Sequence, residues 1–524
     1  MHFSEKITQL RKTKGLTQED LAEAIGVSRQ TVCKWESGSA MPDSEKILAL
    51  SAFFGVSTDT LLKEEVSLSG SFAPQQTQPP ENIEAFFETE PVRQKRPLKR
   101  IIAAVVVFAV LVTAIAVPLQ LGGYRELWWK LCGGKIEYPY VLVHGLGGFG
   151  ESEDGSVSYW GATTGSLPEY LRREGYTVYA PSIGPYSSTW DRVCELYAQL
   201  TGTTVDYGQA HAKTHGHARF GRTYTEPLIP NWGDRVNGGQ RVRIHLIGHS
   251  FGGATVRLLT SMLANGNAEE IKATGKETSP LFTGGKKDWV FSVTTLCAPH
   301  NGSQLTCIVD EIGNIAGISD TTQLLVNLMF KLAKQTNSAF GTTDLMLDQF
   351  GVHNTGSGEE DITQALHEVE SMGKDHAIYD LSPDGAAELN RQIETVKGVY
   401  YFSYAYSTVS DGSLLGGKVP LLTTLPVLMP TALAMGAYRG TTSGGIVIDD
   451  SWLDNDGLVS VVSAQYPTGE AHKDLDTENV EKGVWNVAPT VEGDHGTAVG
   501  VNADEEKTRS FYDTLFAMVA SLKR

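Results

Sequence analysis

At 524 residues the chain is too long for one ordinary hydrophobic core, and two or more domains are expected. A formal charge of −18 excludes a general polyanion binder but leaves room for one small DNA-reading module with local contacts. The five cysteines (Cys33, Cys132, Cys194, Cys297, Cys307) are too scattered for a disulfide framework and lack C-x-x-C spacing.

Residues 3–63 carry a compact helical pattern. FSEKITQLRKTKG is an amphipathic helix ended by Gly15. LTQEDLAEAIG starts at a Thr17 cap and stops at Gly26. VSRQTVCKWESG is capped by Ser28, and PDSEKILALSAFFG and STDTLL supply a fourth and a fifth helix. Two short helices around a glycine-bearing turn form a helix-turn-helix. Leu21, Ala22, Ile25, Val32 and Trp35 are the apolar positions that would hold it together. Over nearly its whole length, and above all at LTQEDLAEAIGVSRQTVCKWESG, this segment resembles the Cro/C1-type domain of bacterial repressors. The resemblance implies five helices with the third in the major groove of double-stranded DNA. Ser28, Arg29, Gln30, Thr31 and Lys34 would then face the DNA, Gln18 would touch phosphate, and a homodimer would read two half-sites. Net charge adds no support, since residues 1–65 hold 8 Lys plus Arg against 10 Asp plus Glu.

Residues 66–100, rich in Pro, Gln and Ser, read as a flexible tether ending in the basic cluster Arg93, Lys95, Arg96, Lys99 and Arg100. From Ile101 to Tyr124 no residue is charged, which is length enough for one transmembrane helix, placed over 101–121. The basic flank predicts a cytoplasmic N-terminus, and Trp128 and Trp129 suit the far interface, so the remaining domain, 135–524, would face outward from the cell membrane.

From Tyr138 the pattern turns to α/β. EYPYVLVHGLGGFG, GYTVYAPSIG, RVRIHLIGHS and DWVFSVTTLCAPH read as strands with helices between them, the alternation of a mostly parallel sheet with helices on both faces. GHSFGG, between an apolar strand and a long apolar helix, has the Gly248-x-Ser250-x-Gly252 form of a nucleophile elbow. An acyl-transfer serine needs a base, an orienting carboxylate and an oxyanion hole. In the order Ser, acid, His, the candidates are Asp454 or Asp456 in WLDNDGLVSVVSAQ, a segment with a strand-like run, then Asp494 and His495 in VEGDHGTAVG. The amides of Leu146, in HGLGG, and Phe251 would face the oxyanion. HAKTHGH reads as a metal site, although spacing does not say which of His211, His215 and His217 converge.

Residues 138–523 resemble the true lipases of staphylococci and thermophilic bacilli. The words that carry the resemblance include YVLVHGLGG, WDRVCELYAQL, VDYGQAHAKTHGHARFGRTY, GHSFGG, TTLCAPHNGS, MLDQFG, YDLSPDGAAELN, WLDNDGLV and GVWN. It implies an α/β-hydrolase fold, a triad of Ser250, Asp456 and His495, and oxyanion amides at Leu146 and Phe251. It also implies a structural zinc on Asp191, His211, His217 and Asp348, without His215. The family's calcium carboxylates correspond to Thr497 and Asn502 here, neutral oxygens that would hold calcium weakly, with Asp504 a nearby substitute. Residues 303–335 correspond partly to a lid over an acyl groove. The expected protein is a membrane-anchored triacylglycerol lipase or carboxylesterase fused to a DNA-binding module. The alternative is a membrane-tethered transcriptional regulator whose outer domain senses lipid.

Overall fold

The computed structural model describes residues 2–62, apart from 39, 43, 55 and 57. It also describes 137–524, apart from 152–158, 237–238, 317–325, 329–330, 332–343, 353–358 and 413–415. The expected tether and membrane helix therefore lie outside the described residues. Among the described residues no helix is long and apolar enough to cross a membrane. The chain divides into two compact units, one at each end of the sequence.

Among its described residues the N-terminal unit has five helices: α1 (Phe3–Thr13), α2 (Gln18–Ile25), α3 (Arg29–Glu36), α4 (Ser44–Phe54) and α5 (Thr58–Leu62). Local chemistry sets the boundaries. Thr17 and Asp20 exchange hydrogen bonds as a capping box, the Asp20 N–H donating to the Thr17 hydroxyl and the Thr17 N–H to the Asp20 carboxylate. Ser28 caps α3 by accepting the Thr31 N–H. Leu21, Ala22, Ile25, Val32 and Trp35 are all buried, with Ile7, Leu10, Leu50 and Leu61 beside them.

The C-terminal unit is built on a seven-stranded sheet. Its strands are β1 (Tyr140–Val143), β2 (Val178–Tyr179), β3 (Ile244–His249), β4 (Val290–Leu296), β5 (Tyr400–Tyr404), β6 (His472–Asp474) and β7 (Trp485–Val487). They run β6-β7-β5-β4-β3-β1-β2, every pair parallel. Parallel strands need crossovers, which place helices on both faces, so β1, β3 and β4 are buried on both sides, and the buried faces of β3 and β4 also carry His245, Ser292, Thr294 and Thr295. Alternation, shifted by one residue where the β3–β4 register slips at Phe291, divides the apolar residues of these strands between two cores. Val141, Val143, Leu246 and Val293 pack with helices α6 (Thr189–Thr201) and α8 (Gly252–Asn265), while Tyr140, Leu142, Ile247 and Phe291 pack with the C-terminal helix α10 (Glu505–Ser521). Between α6 and α8 lies α7 (Gln209–His215), and α9 (Gln304–Ala316) follows β4. Leu305 and Ile308 of α9 are buried against Ile378 and Met435, so this part of the expected lid is a packed helix. The strand-like VVSAQ is instead a short helix, Val461–Gln465. Cys33, Cys194, Cys297 and Cys307 are free thiols.

Candidate active site

Ser250 sits where β3 ends and α8 begins. Its φ of 55° is costly for a non-glycine residue. The Ser250 N–H is fixed by the Leu296 carbonyl at 2.8 Å, and Gly253 N–H closes the turn onto the Ser250 carbonyl at 2.9 Å. The turn lies against the end of β1, so a Cβ on Gly252 would strike the Val143 and His144 carbonyls. The loop after β1 comes equally close, since a Cβ on Gly145 would lie 2.7 Å from that of Ser250. This brings HGLGG to the serine.

Asp456 and His495 meet from two loops far apart in sequence. The Asp456 Oδ1 accepts the Leu458 and Val459 N–H groups at 2.9 and 2.8 Å, and Oδ2 lies 2.8 Å from His495 Nδ1. The His495 N–H also donates to the Asp456 carbonyl at 2.9 Å. Every oxygen of this buried carboxylate therefore has a protein donor. Asp454, two residues earlier, points away to an ion pair with Lys418 at 3.1 Å. Asp494 accepts from the Leu425 and Gly496 N–H groups and shapes the histidine loop. Ser250 and His495 line one largely apolar cavity with Leu146, Leu305, Leu458 and Val501. Among the described residues neither the Leu146 nor the Phe251 N–H has an acceptor, and such orphan amides are rare unless a ligand uses them.

Behind these amides lies a group that sequence reasoning missed. The Arg192 guanidinium, on α6, is fully buried and donates to the His144 and Gly184 carbonyls and to the Thr255 hydroxyl. It stacks 5.1 Å from the centre of the Phe251 ring. Burial lowers its pKa only to about 10, so it remains a cation. Burial, followed by the Arg192 charge, pushes His144 down to about 3. That imidazole stays neutral, with Nε2 accepting the Ile183 N–H. The Cys297 thiol, buried at the end of β4, is held protonated by burial and then by the Asp456 charge.

A second cluster lies elsewhere in this unit. Asp191, His211, His217 and Asp375 each bring one ligand atom to within 4.8 Å of all the others. His211 Nε2 is 3.5 Å from Asp191 and 3.2 Å from Asp375, and His217 Nε2 is 3.2 Å from Asp375. Asp191 Oδ1 and His217 Nε2 are buried with no aligned hydrogen-bond partner. His217 Nδ1–H donates to the Ala218 carbonyl at 2.9 Å, which leaves Nε2 as the lone pair. Two carboxylates, two imidazoles and orphaned ligand atoms fit a tetrahedral zinc. The Trp190 indole stacks on His211 at 4.6 Å, and the His215 ring lies tilted 4.4 Å from that of His211 without joining the set.

Asp348 is not in this cluster. Its carboxylate is partly exposed and pairs with Arg222 at 2.5 Å. The next residue, Gln349, turns inward instead and donates to Asp191 Oδ2 at 2.8 Å. The fourth position is filled by Asp375, from GKDHAIYDL. The positions expected to hold calcium make other contacts. The Thr497 hydroxyl is engaged with Asp494, Asn502 donates its amide to the Thr423 carbonyl, and Asp504 caps α10 by accepting the Lys507 N–H.

In the N-terminal unit Arg29, Gln30 and Lys34 are exposed along α3. Thr31 is half-buried, Ser28 is occupied as the cap, and the two hydroxyls lie 2.8 Å apart. Gln18 donates to Glu36 at 2.8 Å, which ties its amide to α3.

A serine elbow on a parallel sheet, opening into an apolar cavity, is the arrangement of an α/β lipase fold. Residues 136–522 match the family described as "Lipase-like, C-terminal domain", and the chain belongs to that family. Residues 7–61 match the helix-turn-helix family. The chain is 36% identical to Lipase 2 of Staphylococcus aureus over 378 residues, which cover 70% of this chain and 51% of that protein. It thus spans about half the length of the curated relatives it matches. Among solved structures it is similar to EstA from Clostridium botulinum, with TM-score 0.64, 35% identity, and coverage of 75% of this chain and 89% of that one. It is also similar to the Staphylococcus hyicus lipase, with TM-score 0.60, 32% identity, and coverage of 74% and 96%.

Proposed function

We propose that the C-terminal unit hydrolyses lipid esters through Ser250, His495 and Asp456. The observation that carries this reading is the buried Asp456–His495 pair at 2.8 Å, with His495 opening onto the same apolar cavity as Ser250. His495 Nε2 takes the Ser250 proton as Oγ attacks the ester carbonyl, and the Leu146 and Phe251 amides receive the oxyanion. His495 then protonates the leaving alcohol. Water, deprotonated by the same imidazole, attacks the acyl-serine and releases the fatty acid. Asp456 keeps the proton of His495 on Nδ1. Asp191, His211, His217 and Asp375 would hold a structural zinc, which supplies cross-linking rather than chemistry. Ser250→Ala should lower turnover of a p-nitrophenyl ester series by roughly 10⁴–10⁶-fold with little change in melting temperature. Wild-type turnover by that variant would remove the assignment.

The exposed Arg29, Gln30 and Lys34 on α3, in a segment matching the helix-turn-helix family, support double-stranded DNA as the partner of the N-terminal unit. Gln30→Ala should cost roughly 1–3 kcal/mol of sequence discrimination, read by selection from randomised duplexes. Failure of the unmodified chain to enrich any sequence would end this reading. The uncharged run from Ile101 to Tyr124 after a basic flank supports a single-pass anchor between the two units. Protease added outside intact cells should then remove the C-terminal unit and spare residues 1–92. The opposite pattern would reverse the topology.

A further inference from the structure

Tyr159 and His249 take no part in the reaction above, yet between them they touch all three segments that carry it. The Gly145 N–H donates to the Tyr159 hydroxyl oxygen at 3.1 Å, and that oxygen lies 2.5 Å from His249 Nδ1. On the other side of the ring, His249 Nε2 lies 3.0 Å from the His495 carbonyl oxygen. A carbonyl can only accept, so Nε2 carries the proton. Nδ1 is then a bare lone pair, and the phenol must be the donor to it. The chain runs from Gly145 N–H to Tyr159, from the Tyr159 O–H to His249, and from His249 Nε2–H to the backbone of His495.

Each end of this chain is placed where it matters. Gly145 directly precedes Leu146, whose amide faces the cavity, and His249 directly precedes Ser250. His495 is the base itself. Both bridging side chains are buried, Tyr159 at 8% and His249 at 2% exposure, so little water is available to replace a lost bond. The ring of His249 is further fixed between Trp160 and His495, with centroids 6.2 and 4.9 Å away. Burial, and after it the charge of His495, holds His249 far below the ordinary histidine range, which keeps the ring neutral, while its two hydrogen bonds choose the tautomer. A pair needed only for core satisfaction would have no reason to begin on one reacting loop and end on another.

We infer that Tyr159 and His249 are positioning residues that set the separation between the oxyanion loop, the serine turn and the His495 backbone. The inference rests on the assignment of Ser250, His495 and Asp456 proposed above. The phenol acts by holding Gly145, the imidazole by holding His495, and neither exchanges a proton with substrate.

The test uses the full chain with p-nitrophenyl butyrate, each preparation titrated for reactive serine with a p-nitrophenyl phosphonate. Tyr159→Phe removes one oxygen and keeps the ring. It should lower kcat per titrated site by about 10- to 100-fold, leave KM within about three-fold, and slow phosphonylation in parallel. His249→Gln, which still offers one acceptor and one donor, should retain more kcat than His249→Leu. A Tyr159→Phe chain with wild-type kcat per titrated site, beside an inactive Ser250→Ala, overturns the inference while the serine assignment stands. Equal losses in His249→Gln and His249→Leu overturn it as well, because they reveal a need for shape rather than for the two hydrogen bonds. Turnover by Ser250→Ala instead removes the assignment beneath it.

Discussion

Two clusters in the C-terminal unit are made from the same side chains and end in opposite states. At the serine, Asp456 has all its oxygens met by N–H donors and passes one of them to His495 Nδ1. In the second cluster Asp191 and His217 keep a buried oxygen and a buried nitrogen without aligned partners. A carboxylate–histidine pair satisfied by the protein is ready to orient a proton. One left unsatisfied is ready for a cation. The number of unmatched atoms, rather than residue type, separates the two chemistries.

The largest expected effect attacks the satisfied pair. Asp456→Asn keeps the shape but puts an N–H where His495 Nδ1–H must donate, so it forces the wrong tautomer. Activity on p-nitrophenyl butyrate should fall about 10⁴-fold with the fold intact by circular dichroism. An effect below ten-fold would erase the distinction between the clusters.

Next comes the unsatisfied set, where stability and metal content should move together. Asp375→Ala should abolish stoichiometric zinc, measured by elemental analysis, and cost about 3–5 kcal/mol in unfolding by leaving buried partners unpaired. Asp348→Ala loses a partly exposed pair with Arg222 and should cost about 1 kcal/mol or less, with zinc retained. If the two variants change places, Asp348 rather than Asp375 is the ligand. Gln349→Leu takes away the amide that holds Asp191 Oδ2 and should weaken zinc by about 10- to 100-fold in competition with a chromophoric chelator. Unchanged affinity would mean that Asp191 is held without it.

The smallest effect is expected two residues from the largest. Asp454→Asn loses only the contact with Lys418. It should move kcat by less than about two-fold and the melting temperature by about a degree. A large loss of activity would show that the choice between the aspartates of DND was wrong.

Much of this was legible in the sequence because it is local. Five helices were bounded by residues whose caps and turns are short-range chemistry, such as Ser28 on Thr31 and the Thr17–Asp20 box. The elbow was legible because a tight strand-to-helix turn tolerates no Cβ at Gly252. Direction was harder. Asp348 and Gln349 are adjacent and point opposite ways, and nothing in MLDQFG says which of them faces inward. VVSAQ opens with two strand-forming valines, but the run is only five residues long and ends in Ala and Gln, and it folds as a helix. Arg192, Tyr159 and His249 were missed because what they do depends on partners that arrive from other loops. WDRVCELYAQL held the one available signal, the charged Arg192 and Glu195 set three apart in a largely apolar helical stretch.

The strand order also carries a timetable. Ser250 leaves β3 near the middle of the sheet, but Asp456 and His495 follow β5 and flank β6 and β7, which close the edge last in chain order. Domains made of long-range parallel pairings assemble slowly, and synthesis presents this serine well before its base exists. A nascent chain that ends before His495 lacks the proposed base and should therefore be silent toward esters. A stalled nascent chain ending before Trp485 should take up no fluorescent phosphonate, and labelling of such a chain would contradict that silence.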